Sequence, residues 1–446
     1  MRTPVRAALP FPTAPGAMPL LGHLSQLVRA PLPFVRQLRL HGPVVRLRLA
    51  HRDVLAVTAP RLVRQILVDD QRRFDKGGPI ADSMKATLGT NLVTCPADDH
   101  ARQRALVNPG FHPSRMPAYS EAMRVAAVEV TDSWTPGQTL HLEHEAHRLA
   151  ALAASRSLVS APTAESAAAV LAEALPDISR GMYWRGMFGK AFSKLPLAVN
   201  RRHERQMART RKAMDLVTAQ YRNGQDHGDV LSRIAPACEL EANPHQAIHD
   251  QVLTLLFGAV ETTAAALVWI LRLVSEHQIT PRIHTELHEV LGSRPPCHED
   301  IPQLAYTQRI ITEALRLHPP AWLGTRKTTA PVSWPEGTIP PGTDVIFSPY
   351  ALHRDPTVFA DPDEFRPDRW TPENATSEQL RLHLAFGAGT RKCIGDTFAM
   401  NELTLALAVI LSRWQLHHHP SSATQPTPRF ILAPPPTPVT VQPRED

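Results

Sequence analysis

Cysteine is scarce in this chain. Four residues, Cys95, Cys238, Cys297 and Cys393, are scattered over 446 positions without CxxC spacing, which excludes a disulfide-stapled scaffold and favours free thiols in a reducing cytoplasm. The N-terminus lacks the basic, apolar, small-residue order of a secretory signal. No Gly/Ser-rich or charge-run linker divides the sequence, so it reads as one domain over 1–446, with 1–14 as a flexible N-terminus. No internal repeat is visible, which excludes solenoids and propellers. The longest apolar run, Val252 to Leu271, is broken by Glu261, Thr262 and Thr263, which predicts a buried helix rather than a membrane anchor. No nucleic-acid motif accompanies the formal net charge of +6. The basic residues, mostly arginine, are dispersed, so no nucleic-acid partner is expected; docking of an acidic electron donor is the functional alternative to a merely solvated surface.

What is present points to a large, mainly α protein with a smaller β-rich portion. Hydrophobic residues make up 43% of the chain and charged residues 20%, enough for a sizeable core. VVRLRLAHRDVLAVTA alternates apolar and polar residues and breaks at HRD, as a hairpin does. Helix-like stretches run from about Pro60 through Arg294, with loops at Gly77 and Asn108. From Pro319 to Asp368 prolines punctuate short segments, which suit strands and turns. A helix follows Cys393, and ILAPPPTPVTVQP predicts two strands around a proline turn.

Several residues carry chemistry. In FGAGTRKCIG, Phe386 to Gly395, a cysteine stands just ahead of a helix N-terminus, where backbone N–H groups favour a thiolate. Gly387 and Gly389 let the loop press against a flat object, and Arg391 adds charge for an anionic group on it. The bland alternative is a small buried hydrophobe. In a helix read from Pro244 to Glu276, Glu261 and Thr262 are costly unless they cap backbone groups or act chemically; back-bonding of Thr262 to a carbonyl is the plain reading. Glu313 and Arg316 share a helix face. The run His417 to His419 points its side chains in different directions and is not read as a metal site. Met182 to Phe188 reads as helix packing.

FGAGTRKCIG resembles the haem-ligand motif of the cytochrome P-450 family, and three further segments fall in family order, so that the resemblance spans about Pro15 to Pro443. It implies the triangular helical prism of that family enclosing haem b (iron protoporphyrin IX). Cys393 would be the metal ligand, with Phe386 beside the haem and His100, Arg104, Arg326 and Arg391 binding its carboxylates. Glu261 and Thr262 are similar to the family's acid–alcohol pair, although Gly258-Ala259 reverses the usual Ala-Gly order before it. Glu313, Arg316 and Arg369 would form a structural network. The implied reaction is insertion of one oxygen atom from dioxygen into a C–H bond, by a monomer fed by a ferredoxin and ferredoxin reductase. PGAMPLLGHL, RRFDKGGPIAD, NPGFHPSRM and SPYALHRDP are similar to bacterial terpene-oxidising members such as pentalenene oxygenase and epi-isozizaene monooxygenase. That implies a cyclic terpene held near Ala321, Trp322, Leu323, Gly324 and the turn around Pro435. A polyketide, macrolide or fatty acid is the alternative substrate; a peroxide-dependent enzyme or a non-catalytic haem sensor is the alternative function.

Overall fold

The computed structural model describes residues 10–50, 52–222, 225–419 and 425–444. Its centre is the helix Pro244–Glu276, on the order of 50 Å long at ~1.5 Å per residue. The helix begins where the sequence supplies a cap: Asn243 accepts the Gln246 N–H, and Pro244 fills the first turn, where a missing N–H costs nothing. A helix this apolar is stable only when covered. Helices Leu142–Ser157, Ala164–Phe188, Ala198–Tyr221, Ala305–Leu317 and Asp396–Arg413 all pack against it, and its most apolar stretch is 72% buried, as expected of a core helix.

The β-rich part is small. Strands Val44–Leu49 and Arg52–Val57 form the predicted hairpin, with Leu49 opposite Arg52. The turn is tighter than the sequence indicated, because Ala50 adopts φ 52° and Arg52 and Asp53 already belong to the second strand. The sheet continues through Asp344–Phe347 and Gly324–Thr328 to the short strand Phe74–Asp75. That last strand was not read from the sequence; its pairing sets Asp75 opposite Lys327, next to Arg326. The strands Leu432–Ala433 and Pro438–Pro443 flank the proline turn as expected, but each finds another partner: Thr427–Pro428 for the first, Thr139–His141 and Trp414–His418 for the second. His417 and His418 lie in that sheet, where successive side chains point to opposite faces.

One expectation at the N-terminus is corrected. Residues 1–9 lie outside the described residues, but 10–14 are not a loose lead-in. Thr13 bridges Arg46, the Ala14 N–H donates to the Arg46 carbonyl at 3.0 Å, and Phe11 and Ala14 are buried. Apolar burial plus pairing to a sheet edge ties the segment down.

The network expected of Glu313, Arg316 and Arg369 forms. Glu313 and Arg316 are 0% exposed and 2.8 Å apart. Glu313 also accepts from Arg369 Nε at 3.4 Å, Trp370 Nε1 at 2.8 Å and the Arg366 N–H at 3.0 Å. Arg316 donates to the carbonyls of His353, Pro362 and Glu364. His353 Nδ1 in turn bonds the Arg316 carbonyl at 2.9 Å, while its Nε2 accepts the Leu384 N–H at 2.8 Å. The Leu384 carbonyl accepts the Gly387 N–H at 2.9 Å, which is already inside the cysteine loop. Breaking a buried pair on one side leaves a charge stranded. Arg316→Met is therefore expected to lose about 3–5 kcal/mol of unfolding free energy, measured by urea titration of the holoenzyme; a loss under about 1 kcal/mol would show that the network holds nothing.

Candidate active site

The loop Phe386–Gly395 runs through a single turn of 3₁₀ helix, Gly389–Arg391, into the helix Asp396–Arg413. The Cys393 N–H donates to the Phe386 carbonyl at 2.8 Å, closing the loop behind the sulfur. Gly389 has φ +70°, and a Cβ there would lie 1.8 Å from the Leu67 carbonyl oxygen. Only glycine lets the loop dock against the turn Gln65–Asp69. Cys393 has an exposed surface yet sits deep in the protein, and this desolvation pushes its thiol up; the Gly395 N–H, Arg104 and Lys392 pull it down, while Asp396 adds to the rise. The sequence had indicated a thiolate made by the helix terminus. The helix begins three residues later, at Asp396, and the N–H of its N-cap residue Gly395 is the first of the groups that oppose burial at the sulfur.

Four predicted basic residues converge near this loop. Arg391 meets Asp75 Oδ1 at 3.0 Å and donates to the Cys95 carbonyl at 3.0 Å. Arg326, delivered by the strand Gly324–Thr328, is pushed down to about 10 by burial and then by Arg391. His100 is 7% exposed and pushed down to about 4 by burial, then by Arg391, Lys76 and Arg104. Burial and its cationic neighbours thus both favour its neutral form. Arg104 donates to the Lys392 carbonyl at 2.5 Å, beside Cys393. The sequence reading missed Lys76, which donates to the Val93 carbonyl and is pushed down to about 7 by burial, Arg326 and Arg391. Its only sequence signal was its place before Gly77-Gly78. Asp75 is the one carboxylate acting on His100 and Arg326 in this group, and such crowding is costly unless further anions join it.

On the long helix, Thr262 Oγ1 donates to the Gly258 carbonyl at 2.6 Å, the plain back-bond weighed from the sequence. Gly258 is exposed although Phe257, Val260 and Glu261 around it are buried, so the helix presents an open face there. Glu261 is 3% exposed, and its Oε2 has no hydrogen-bond partner. Burial pushes its carboxyl up to about 7, against smaller opposing pulls from Ser179 and Arg429.

A cavity of about 630 Å³ opens beside these elements, with Leu24, Ile80, Phe188, Trp322, Leu323 and Ile346 in its wall. Arg326 is the one predicted site residue that lines it; Cys393, Glu261 and Thr262 do not. Of the expected pocket residues, Trp322 and Leu323 face this space. Ala321 is exposed elsewhere, and Gly324 packs against the Phe347 ring.

A cysteine loop, a cationic cluster and an acid–alcohol helix in this arrangement match a known family. The cytochrome P-450 family profile aligns with residues 12–161 and 163–441. This chain belongs to the cytochrome P-450 family. It is 42% identical to cyclooctatin synthase of Streptomyces melanosporofaciens over 97% of this chain and 95% of that one. It is 36% identical to pentalenene oxygenase of Streptomyces avermitilis over 93% of each. Among solved structures, the cytochrome P450DA heme domain superimposes with a TM-score of 0.84 at 25% identity, covering 98% of both chains. The mainly helical fold is thus that of a P-450 haem domain, and the protein is a P-450 monooxygenase. Membership implies haem, and the residues fit it: a thiol at the end of a glycine loop for the iron, and a cationic cluster short of carboxylates for the propionates.

The Glu261 carboxyl makes stability depend on pH. The folded protein keeps a proton that the unfolded chain releases, so stability falls as pH rises from the usual carboxyl value of 4.5 to about 7. Relative to Glu261→Gln, the wild type should lose about 3 kcal/mol across that window. Unfolding titrations of both proteins at about pH 5 and about pH 8 measure it; parallel losses would place the titration elsewhere.

Proposed function

We propose that this P-450 hydroxylates a cyclic terpene in bacterial secondary metabolism, with haem b as its cofactor. The observation that carries the substrate class is the cavity, where Leu24, Ile80, Trp322, Leu323 and Ile346 form an apolar part of a wall that also holds Arg52, Asp82, Arg185 and Lys190; the apolar part suits a hydrocarbon held by shape. Its relatives point the same way: cyclooctatin synthase, cyclooctat-9-en-7-ol 5-monooxygenase and pentalenene oxygenase act on terpenes.

In this reading Cys393 holds the iron through its sulfur, which loses its proton on coordination. Arg104, Arg326, Arg391, Lys76 and His100 hold the two carboxylates, and Phe386 closes the loop beneath. When bound, the haem supplies activation of dioxygen and transfer of one oxygen atom to a C–H bond. The chain's own part is to orient the substrate, keep water out and manage protons. Glu261, balanced near neutrality, can both take up and release a proton. Thr262 uses its hydroxyl hydrogen on Gly258, which leaves its oxygen lone pairs as acceptors toward the open face. Electrons come from a ferredoxin and its reductase, and the basic Lys392 beside the cysteine, exposed at the surface, suits an acidic donor.

Titration of the Soret band with sesquiterpenes, diterpenes, fatty acids and macrolides tests the substrate class. A shift from low to high spin is expected with cyclic terpenes; a shift confined to fatty acids or macrolides would overturn it. Cys393→Ser should lose the thiolate-type ferrous–CO band, and an unaltered band would place the ligand elsewhere.

A further inference from the structure

One wall of the cavity is the helix Pro79–Leu88, which contributes Ile80 and Ser83 to the lining. It faces the end of the helix Ala164–Phe188, which contributes Gly186 and Phe188. Both ends of Pro79–Leu88 are fixed away from that contact. Ahead of it, a Cβ on Gly77 would lie 2.5 Å from Lys327 Cβ, so the chain enters against the strand Gly324–Thr328. Beyond it, a Cβ on Gly89 would lie 2.0 Å from Asp250 Oδ2, and the same oxygen accepts the Thr90 N–H at 2.8 Å. The exit is thereby tied to the core helix.

Between these ends the two helices meet at two points. Ser83 Oγ donates to the Met182 carbonyl at 2.9 Å, and both residues are buried. Ile80 and Ser83, three apart, share a face of one helix, while Met182 and Gly186, four apart, share a face of the other. The second point is a close approach: a Cβ on Gly186 would lie 3.1 Å from both Cα and Cγ1 of Ile80. One of those atoms is backbone, so no rotamer of Ile80 relieves the contact, and a side chain at 186 displaces the helix itself. Glycine is a poor helix former, and the approach to Ile80 is what it permits here.

We infer that Gly186 is a specificity-determining residue: by letting the two helices close onto each other at Ile80, with the Ser83 bond as the second fastening, it holds the cavity narrow and sets the bulk of the ligand admitted. A hydrocarbon offers no charge or hydrogen bond and is sorted by shape, so the spacing of two walls does the sorting. The inference deepens the proposed reading of this cavity as the substrate site and rests on it only for the identity of the ligand.

The test uses probes that do not depend on the terpene reading. Azoles bind haem iron through nitrogen and shift the Soret band, so stopped-flow mixing of the holoenzyme with imidazole, which is small, and clotrimazole, which is bulky, reads the width of the entry. Gly186→Val is expected to speed clotrimazole binding on the order of tenfold, the lower end of what one methylene of room decides in an apolar pocket, and to leave imidazole unchanged. Gly186→Ala and Ser83→Ala should move clotrimazole the same way by less, and Ile80→Ala added to Gly186→Val, which gives back side-chain room at the contact, should return it most of the way. An unmoved clotrimazole rate in Gly186→Ala and Ser83→Ala, with the Soret band intact, overturns the inference, and so does an equal change for imidazole, which would mean general loosening. A wild type that answers no terpene while the azoles behave as expected removes the terpene and sustains the role of Gly186.

Discussion

The buried carboxylate of Glu313 is the constraint on which the site depends. A carboxylate with no water around it must be fully partnered, and meeting that demand ties together Arg316, Arg366, Arg369 and Trp370. Arg316 passes the tie to His353, and His353 passes it to Leu384 at the mouth of the cysteine loop. The loop is thus held from behind by the network and from beside by Gly389 against Leu67. Cys393 can be exposed toward a ligand because nothing about its position relies on packing of its own side chain.

The same logic applies with opposite sign to the cationic cluster. Burial pushes Lys76, His100 and Arg326 toward their neutral forms, and mutual repulsion adds to it. A fold tolerates that strain where a bound anion relieves it. The short strand Phe74–Asp75, paired with Gly324–Thr328, makes the cluster possible, since it sets Asp75 and Lys76 beside Arg326 and Arg391. Sheet register here serves ligand geometry.

Much of this was legible in the sequence, for identifiable reasons. The cysteine loop, the core helix with its buried acid and the Glu313–Arg316 pair are local patterns whose spacing already fixes which side chains share a face. The hairpin was legible because alternation and a break suffice to specify it. What the sequence hid was long-range. Lys76 has no pattern of its own and gains meaning only when a two-residue strand pairs far along the chain. The Trp322 bond to the Arg429 carbonyl and the Phe257–Phe430 contact join segments far apart in the chain and exist only in three dimensions. At Cys393 the sequence showed the helix terminus that favours a thiolate but not the burial that opposes it.

The reversed Gly258-Ala259 order bears on the same helix face. A Cβ on Gly258 would meet nothing within 4 Å, so packing does not require glycine at that position. What glycine leaves there is open space next to the carbonyl that Thr262 uses as its acceptor. The methyl of Ala259 sits one residue round the helix and is half-buried. The reversal therefore costs nothing in packing on this face of the helix. Glu261, on the buried side of the same turn, keeps a carboxyl oxygen without a hydrogen-bond partner. Alcohol and acid are adjacent in sequence yet face different surroundings: Thr262 is half-buried beside the open face, and Glu261 is buried.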